Sequence, residues 1–196
     1  MMDDDSSQSL TAGRLLMGIM LKRTDSIPGD VGNAGCQGCV RVYIGSIGAA
    51  QNKRILEKLG VGSVLCCASG ITPYFPDEYE YKLVDVRDTP EHAARLASHF
   101  QECAAWIRTR RTGNILVHCF KGKSRSAACC AAHLMINAGM NLRAALAHLR
   151  TARGERPIEP NLGFMLELRK LDIRLHGEDS LLVSAVATSP LDNSQG

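Results

Sequence analysis

The segment His118-Cys119-Phe120-Lys121-Gly122-Lys123-Ser124-Arg125-Ser126 sets a cysteine and an arginine with five residues between them. The cysteine follows the apolar run Ile115-Leu116-Val117, and the arginine opens a stretch with helical patterning, Ser124 to Ala138, closed by Gly139. A loop that leaves a strand and enters a helix turns successive backbone N–H groups toward one point, where the helix N-terminus adds partial positive charge. An anion the size of phosphate suits such a cradle. The same field favours the thiolate of Cys119, so the loop would hold a nucleophile beside its anion. A cysteine and an arginine alone are weak evidence, and a buried cysteine at a strand end is more often structural; the strand-loop-helix context carries the reading.

Arg125 offers a planar fork that matches two phosphoryl oxygens, which a lysine cannot copy. Gly122 allows a positive φ or a close backbone approach at the turn. Ser126 can donate a hydrogen bond to the sulfur when it leaves, and His118 is expected to orient the loop from behind. Phe120, Lys121, Lys123 and Ser124 complete the surface that would face the phosphate. A departing alkoxide or phenoxide also needs a proton. Asp88, in Val86-Arg87-Asp88-Thr89-Pro90, stands between a strand and a capped helix and is the preferred acid; Asp85, alternating with core-facing residues, is the other candidate.

These residues must be positioned by an alternation of strands and helices, which predicts an α/β fold with a central, mostly parallel twisted sheet flanked by helices. The pattern predicts strands at Val40 to Gly45, Val61 to Cys67, Tyr81 to Val86 and Ile115 to Val117. It predicts helices at Ala49 to Leu59, from Thr89 as N-cap through Trp106 and Ile107 to an end near the basic run Arg108 to Arg111, and at Ser124 to Ala138, Asn141 to Arg150 and Pro160 to His176. Upstream, Leu10 to Lys22 reads as a short amphipathic helix within an extension, residues 1–35, and a Gly-rich stretch leads to a domain boundary near Cys36. The catalytic domain is expected over 36–178, with a polar, disordered tail over 179–196.

A chain of 196 residues with 45% hydrophobic content can bury one core of good size. The formal net charge is only +3, and no charge block points to a stable nucleic-acid partner or a membrane surface. Met1 to Ser7 is acidic and polar where a signal peptide needs basic residues, and Leu15 to Leu21 is too short to span a bilayer, so a soluble intracellular protein is expected, in the cytoplasm with the nucleus as a second location. The eight cysteines lack the spacing of a secreted disulfide scaffold and read as reduced core thiols. Cys36 and Cys39 have the spacing of half a zinc site without a second pair, so no metal is expected.

Leu116-Val117-His118-Cys119, with Gly122 and Ser124-Arg125-Ser126, resembles the active-site signature of the dual-specificity phosphatases, a branch of the protein-tyrosine phosphatase superfamily. Ala132-His133-Leu134-Met135, Tyr81 to Asp88, and Arg156 with Pro160-Asn161-Leu162-Gly163-Phe164 resemble further motifs of that family, so the likeness spans about Val40 to Leu175. It implies the cysteine-phosphatase fold and a two-step reaction through a phosphocysteine on Cys119, without a metal or other cofactor. It also implies that Arg156 lies near the mouth of a shallow cleft. The implied substrates are proteins carrying phosphotyrosine and phosphoserine or phosphothreonine. Lys121 and Lys123 make the loop resemble those of phosphoinositide-directed relatives; phosphoinositides or RNA ends are therefore the alternative substrates, and a non-catalytic phospho-binding module is a third reading.

Overall fold

The computed structural model describes residues 17–20, 40–110 and 113–183. Its centre is a five-stranded sheet in the order β1 (Met17–Met20), β2 (Arg41–Gly45), β5 (Asn114–His118), β3 (Val61–Cys66) and β4 (Glu80–Leu83). β1 runs antiparallel to β2; the other neighbours are parallel. Parallel neighbours need crossovers, which put helices on both faces and ask for apolar residues on both sides of each strand. Val42, Ile44, Leu65, Ile115 and Val117 face one side, against the large core. Tyr43, Val64 and Leu116 face the other, with Leu56, Val61 and Tyr79.

One face is covered by α1 (Ile47–Gln51) and α2 (Lys53–Lys58). The other is covered by α3 (Ala93–Ser98), α4 (Phe100–Thr109), α5 (Arg125–Ala138), α6 (Leu142–Arg153) and α7 (Leu162–His176). Every residue of α5 from Arg125 to Met135 is buried. Four of them, Ala127, Ala128, Ala131 and Ala132, are small enough for the helix to lie close against its neighbours. β5 sits between β2 and β3, with Gly45 and Cys66 both in register with His118. The residue after β5 therefore emerges at the carboxyl end of the sheet centre, where open α/β sheets form their sites.

Several expectations are corrected. Met17–Met20 form a strand rather than part of a helix, because β2 would otherwise present an unpaired edge and Gly18 weakens a helix at its middle. The rest of Leu10 to Lys22, together with Cys36 and Cys39, lies outside the described residues. The helix expected over Ala49 to Leu59 breaks at Asn52, whose backbone leaves the helical region while its side chain accepts from the Ile55 N–H at 3.1 Å. The helix expected from Pro90 begins as a 3-10 turn, Pro90–His92, and is interrupted again at His99.

The strand expected over Tyr81 to Val86 pairs only to Leu83, after which the chain bonds to the end of β3 through Val84 N–H to Cys66 C=O at 2.8 Å. At the C-terminal end, Ser180–Val183 form a short helix, α8, where disorder was expected. The cause is Asp172, fully buried in α7, which accepts from the N–H groups of Leu142 at 2.9 Å and Ser180 at 2.8 Å. A buried carboxylate without donors would be costly, so the segment stays. Among the described residues no helix is long and apolar enough to cross a membrane.

Candidate active site

Leaving β5, the chain folds back so that the Gly122 N–H donates to the Cys119 sulfur at 3.2 Å, while the Ser126 hydroxyl lies 3.2 Å from the same sulfur. The reversal depends on Gly122. Its φ is +69°, and a Cβ there would fall 2.4 Å from the Gly45 carbonyl oxygen. The loop is tied down at two further points: the Ile47 N–H donates to the Phe120 carbonyl at 3.0 Å, and the Glu159 N–H donates to the Lys123 carbonyl at 2.8 Å. Cys119 is 1% exposed, at the floor of the loop.

Arg125 opens α5 and is almost fully buried. Its Nη1 donates to the Val86 carbonyl at 3.1 Å, and its Nε faces Oδ2 of Asp88 at 3.6 Å. Asp88 is held by two donors, both on Oδ1: the Ser124 hydroxyl at 2.6 Å and the Asn161 side-chain amide at 2.9 Å. The Asn161 N–H in turn donates to the Ser124 hydroxyl oxygen at 3.2 Å. Asp85 alternates outward between buried Val84 and Val86 and faces Arg95 at 3.7 Å, away from the loop. Of the two aspartates, Asp88 is the one brought to Arg125.

The Asn161 contact depends on how closely α7 approaches the 3-10 turn. A Cβ on Gly163 would lie 2.7 Å from the Pro90 Cα and 2.8 Å from its carbonyl oxygen. Only glycine lets the start of α7 come this near the segment that follows Asp88.

His118 is buried behind the loop, and burial lowers its pKa to about 4, a hydrogen bond to the Cys119 backbone working against that fall. It is therefore neutral at pH 7. Cys66 packs with Cys119 and Ala68, and burial pushes its thiol up to about 11. Cys67 turns into the other core, its sulfur 3.4 Å from that of Cys129.

The remaining loop residues divide. Ser124 is buried in the Asp88 network, whereas Phe120 is half exposed, with its ring 6.0 Å from the guanidinium carbon of Arg125. Lys121 is exposed. Lys123 is paired with Glu159 at 2.8 Å, so its charge is partly neutralised. Arg156, half-buried just beyond α6, lies close enough to Arg153 for the two charges to repel.

Three residues were not singled out for the site by sequence reasoning: Glu159, Asn161 and Arg153. Asn161 carried a readable signal as the residue before a helix, and it does cap α7, its Oδ1 accepting from the Phe164 N–H at 3.0 Å. Glu159 and Arg153 carried none.

A mostly parallel sheet whose central strand delivers a cysteine loop to a buried helix is the fold of the cysteine-based phosphatases. Residues 42–174 match the family model described as dual specificity phosphatase, catalytic domain. The chain is 39% identical over 141 residues to dual specificity protein phosphatase 1 of Arabidopsis thaliana, covering 70% of this chain and 69% of that protein. Among solved structures, human DUSP28 superposes with a TM-score of 0.62 at 31% identity, covering 68% of this chain and 89% of that one. A mouse putative dual specificity phosphatase complexed with zinc tungstate gives 0.63 at 28% identity, covering 76% and 94%. The chain belongs to the dual-specificity phosphatase family and is a protein phosphatase.

Proposed function

We propose that the protein hydrolyses phosphotyrosine and phosphoserine or phosphothreonine through a phosphocysteine on Cys119, with Arg125 clamping the phosphate and Asp88 as acid and then base. The observation that carries this reading is the Cys119 sulfur held at 3.2 Å from both the Gly122 N–H and the Ser126 hydroxyl, at the N-terminus of α5. In the first step the sulfur lone pair forms the S–P bond. The P–O bond to the substrate breaks, its electron pair goes to the leaving oxygen, and that oxygen takes a proton from Asp88. In the second step water attacks phosphorus and gives its proton to Asp88, while the thiolate leaves with a hydrogen bond from Ser126. The Arg125 fork bridges two phosphoryl oxygens throughout, and the loop N–H groups stabilise the charge that spreads over the third.

Both hydrogen bonds to Asp88 fall on Oδ1, which leaves Oδ2 turned to Arg125 and so toward a bound phosphate. Asp85, outward-facing and beside Arg95, is the weaker candidate for the acid. The presence of Cys119, Arg125 and Asp88 in one constellation favours turnover over phospho-binding alone. The pairing of Lys123 with Glu159 leaves Lys121 as the exposed lysine of the loop, which weakens the phosphoinositide reading.

Rapid-quench labelling tests the intermediate, and one substrate panel tests the class. Phosphate from a labelled phosphotyrosine peptide should appear on Cys119 before free phosphate accumulates. Phosphopeptides should be turned over with higher kcat/KM than phosphoinositides or RNA ends. Label on another residue, or preference for lipid or RNA, would overturn the corresponding half.

A further inference from the structure

Helix α6 ends beneath the loop, and its last residue is Arg153. The residue is 3% exposed. Its Nη1 donates to the Ile44 carbonyl at 3.0 Å, at the end of β2, and its Nη2 to the Lys121 carbonyl at 3.5 Å, inside the loop. The same Nη2 lies 3.0 Å from the point where a Cβ on Gly122 would stand, so the group packs directly against the residue whose N–H holds the Cys119 sulfur.

Among the described residues no carboxylate pairs with Arg153. The acids beside the loop are engaged elsewhere: Asp88 with Ser124, Asn161 and Arg125, and Glu159 with Lys123. Burial pulls the Arg153 pKa below its ordinary value, and the repulsion of Arg156 adds to the fall, while the nearby Cys119 and Cys130 sulfurs oppose it. An arginine nonetheless keeps its proton. A buried cation without a counter-ion is costly. Two carbonyl oxygens and the negative end of α6 offset part of that cost. The anion that completes the balance is the one the reaction itself places there.

We propose that Arg153 is a positioning residue of the phosphatase reaction: from the β2 side it holds Lys121 and Gly122 in cradle geometry and supplies the buried positive charge that the Cys119 thiolate requires. Arg125 meets the phosphate, and Arg153 meets the sulfur's charge through the loop. This inference rests on Cys119 as the nucleophile.

The titratable groups around the pair are Arg125 and Cys130 from α5, Cys66 from β3, His118 in β5, Asp88 on the acid segment, Lys121 in the loop, and Arg156. His118, lowered to about 4, stays neutral above pH 5, and Cys66, raised to about 11, and Cys130, raised to about 12, stay protonated below pH 8. Asp88 bears directly on turnover, so the cleaner readout is alkylation of Cys119 itself.

The test compares the full-length chain with Arg153→Gln and Arg153→Lys, measuring iodoacetamide alkylation of Cys119 by peptide mapping from pH 5 to pH 9. In Arg153→Gln, alkylation at pH 6 should fall about tenfold relative to its own rate at pH 9, and the acid limb of kcat/KM should move up by about one pH unit. Arg153→Lys, which keeps the charge and loses the fork, should keep low-pH alkylation within about twofold of the wild type while kcat falls. A Gln variant whose alkylation profile superimposes on the wild type would overturn the proposal, whatever its stability. Should that variant fail to fold, loss of low-pH alkylation in Arg153→Lys would overturn it instead. Failure of the underlying reading would look different: wild-type Cys119 would not be the thiol alkylated at low pH.

Discussion

The side-chain amide of Asn161 donates to Oδ1 of Asp88 at 2.9 Å, joining residues 73 positions apart. The same side chain caps α7 through its oxygen, so one residue both starts the helix and holds the acid segment. Replacing it separates the two duties. Asn161→Ala should lose about 1 kcal/mol from the missing cap and lower kcat for an alkyl phosphate about tenfold. Asn161→Asp keeps the capping oxygen but removes the donor and sets a second carboxylate beside Asp88. It should keep most of the stability and lose the activity. Thermal melts paired with kcat on the same preparations check this; parallel losses of stability and activity in both variants would contradict it.

Asp88→Asn should reduce kcat for a poor leaving group by about 10²-fold or more and for an activated aryl phosphate much less, and should flatten the basic limb of the pH profile. Asp85→Asn should stay within about twofold of the wild type, since that side chain is exposed and faces Arg95 at 3.7 Å. Leaving-group series on both variants are the measurement. A large leaving-group dependence in Asp85→Asn would reverse the assignment.

Burial holds both His118 and His133 at a pKa of about 4 in the folded chain, against an ordinary value of 6.5. Between those values the unfolded chain binds more protons than the folded one, so stability is full above about pH 6.5 and falls as the pH drops toward 4. Each histidine contributes on the order of 3 kcal/mol to that loss when it is fully developed. The melting temperature should therefore fall from pH 7 to pH 5, and in His133→Gln the slope should lessen by about one proton. His133 is the one to replace because it accepts from Asn137 in the helix interior, away from the loop. An unchanged slope would show that another group carries the dependence.

Peroxide should inactivate the protein reversibly. Cys119 would be oxidised to the sulfenic acid, which condenses with the Cys66 thiol to a disulfide and releases water. Cys66 is the expected partner because it shares a buried cluster with Cys119, whereas Cys67 turns to Cys129. Peptide mapping that finds Cys119 joined to Cys67, or only sulfinic acid at Cys119, would reject this.

The loop was legible because its chemistry is local. A strand-ending cysteine, a glycine at the turn and an arginine opening a helix define the cradle without knowledge of anything distant. The α/β alternation was legible for a related reason, since strands covered on both faces are apolar throughout, as Ile115-Leu116-Val117 shows. What stayed hidden depends on long-range contact. Arg153 in the last turn of a helix looks like an ordinary cation at the C-terminal dipole, and only its approach to Ile44 and Lys121 reveals a task. Lys123 looked free until Glu159 was seen beside it. β1 was misread because an apolar run with a central glycine is ambiguous until the open edge of β2 is known.

The role of Cys119 as nucleophile is tested most directly by Cys119→Ser, with turnover and oxyanion binding measured on one preparation. Hydrolysis of phosphotyrosine peptide should be abolished while vanadate or phosphopeptide binding persists, because the Gly122 N–H, the Ser126 hydroxyl and Arg125 remain in place. Turnover in Cys119→Ser comparable to the wild type would contradict it.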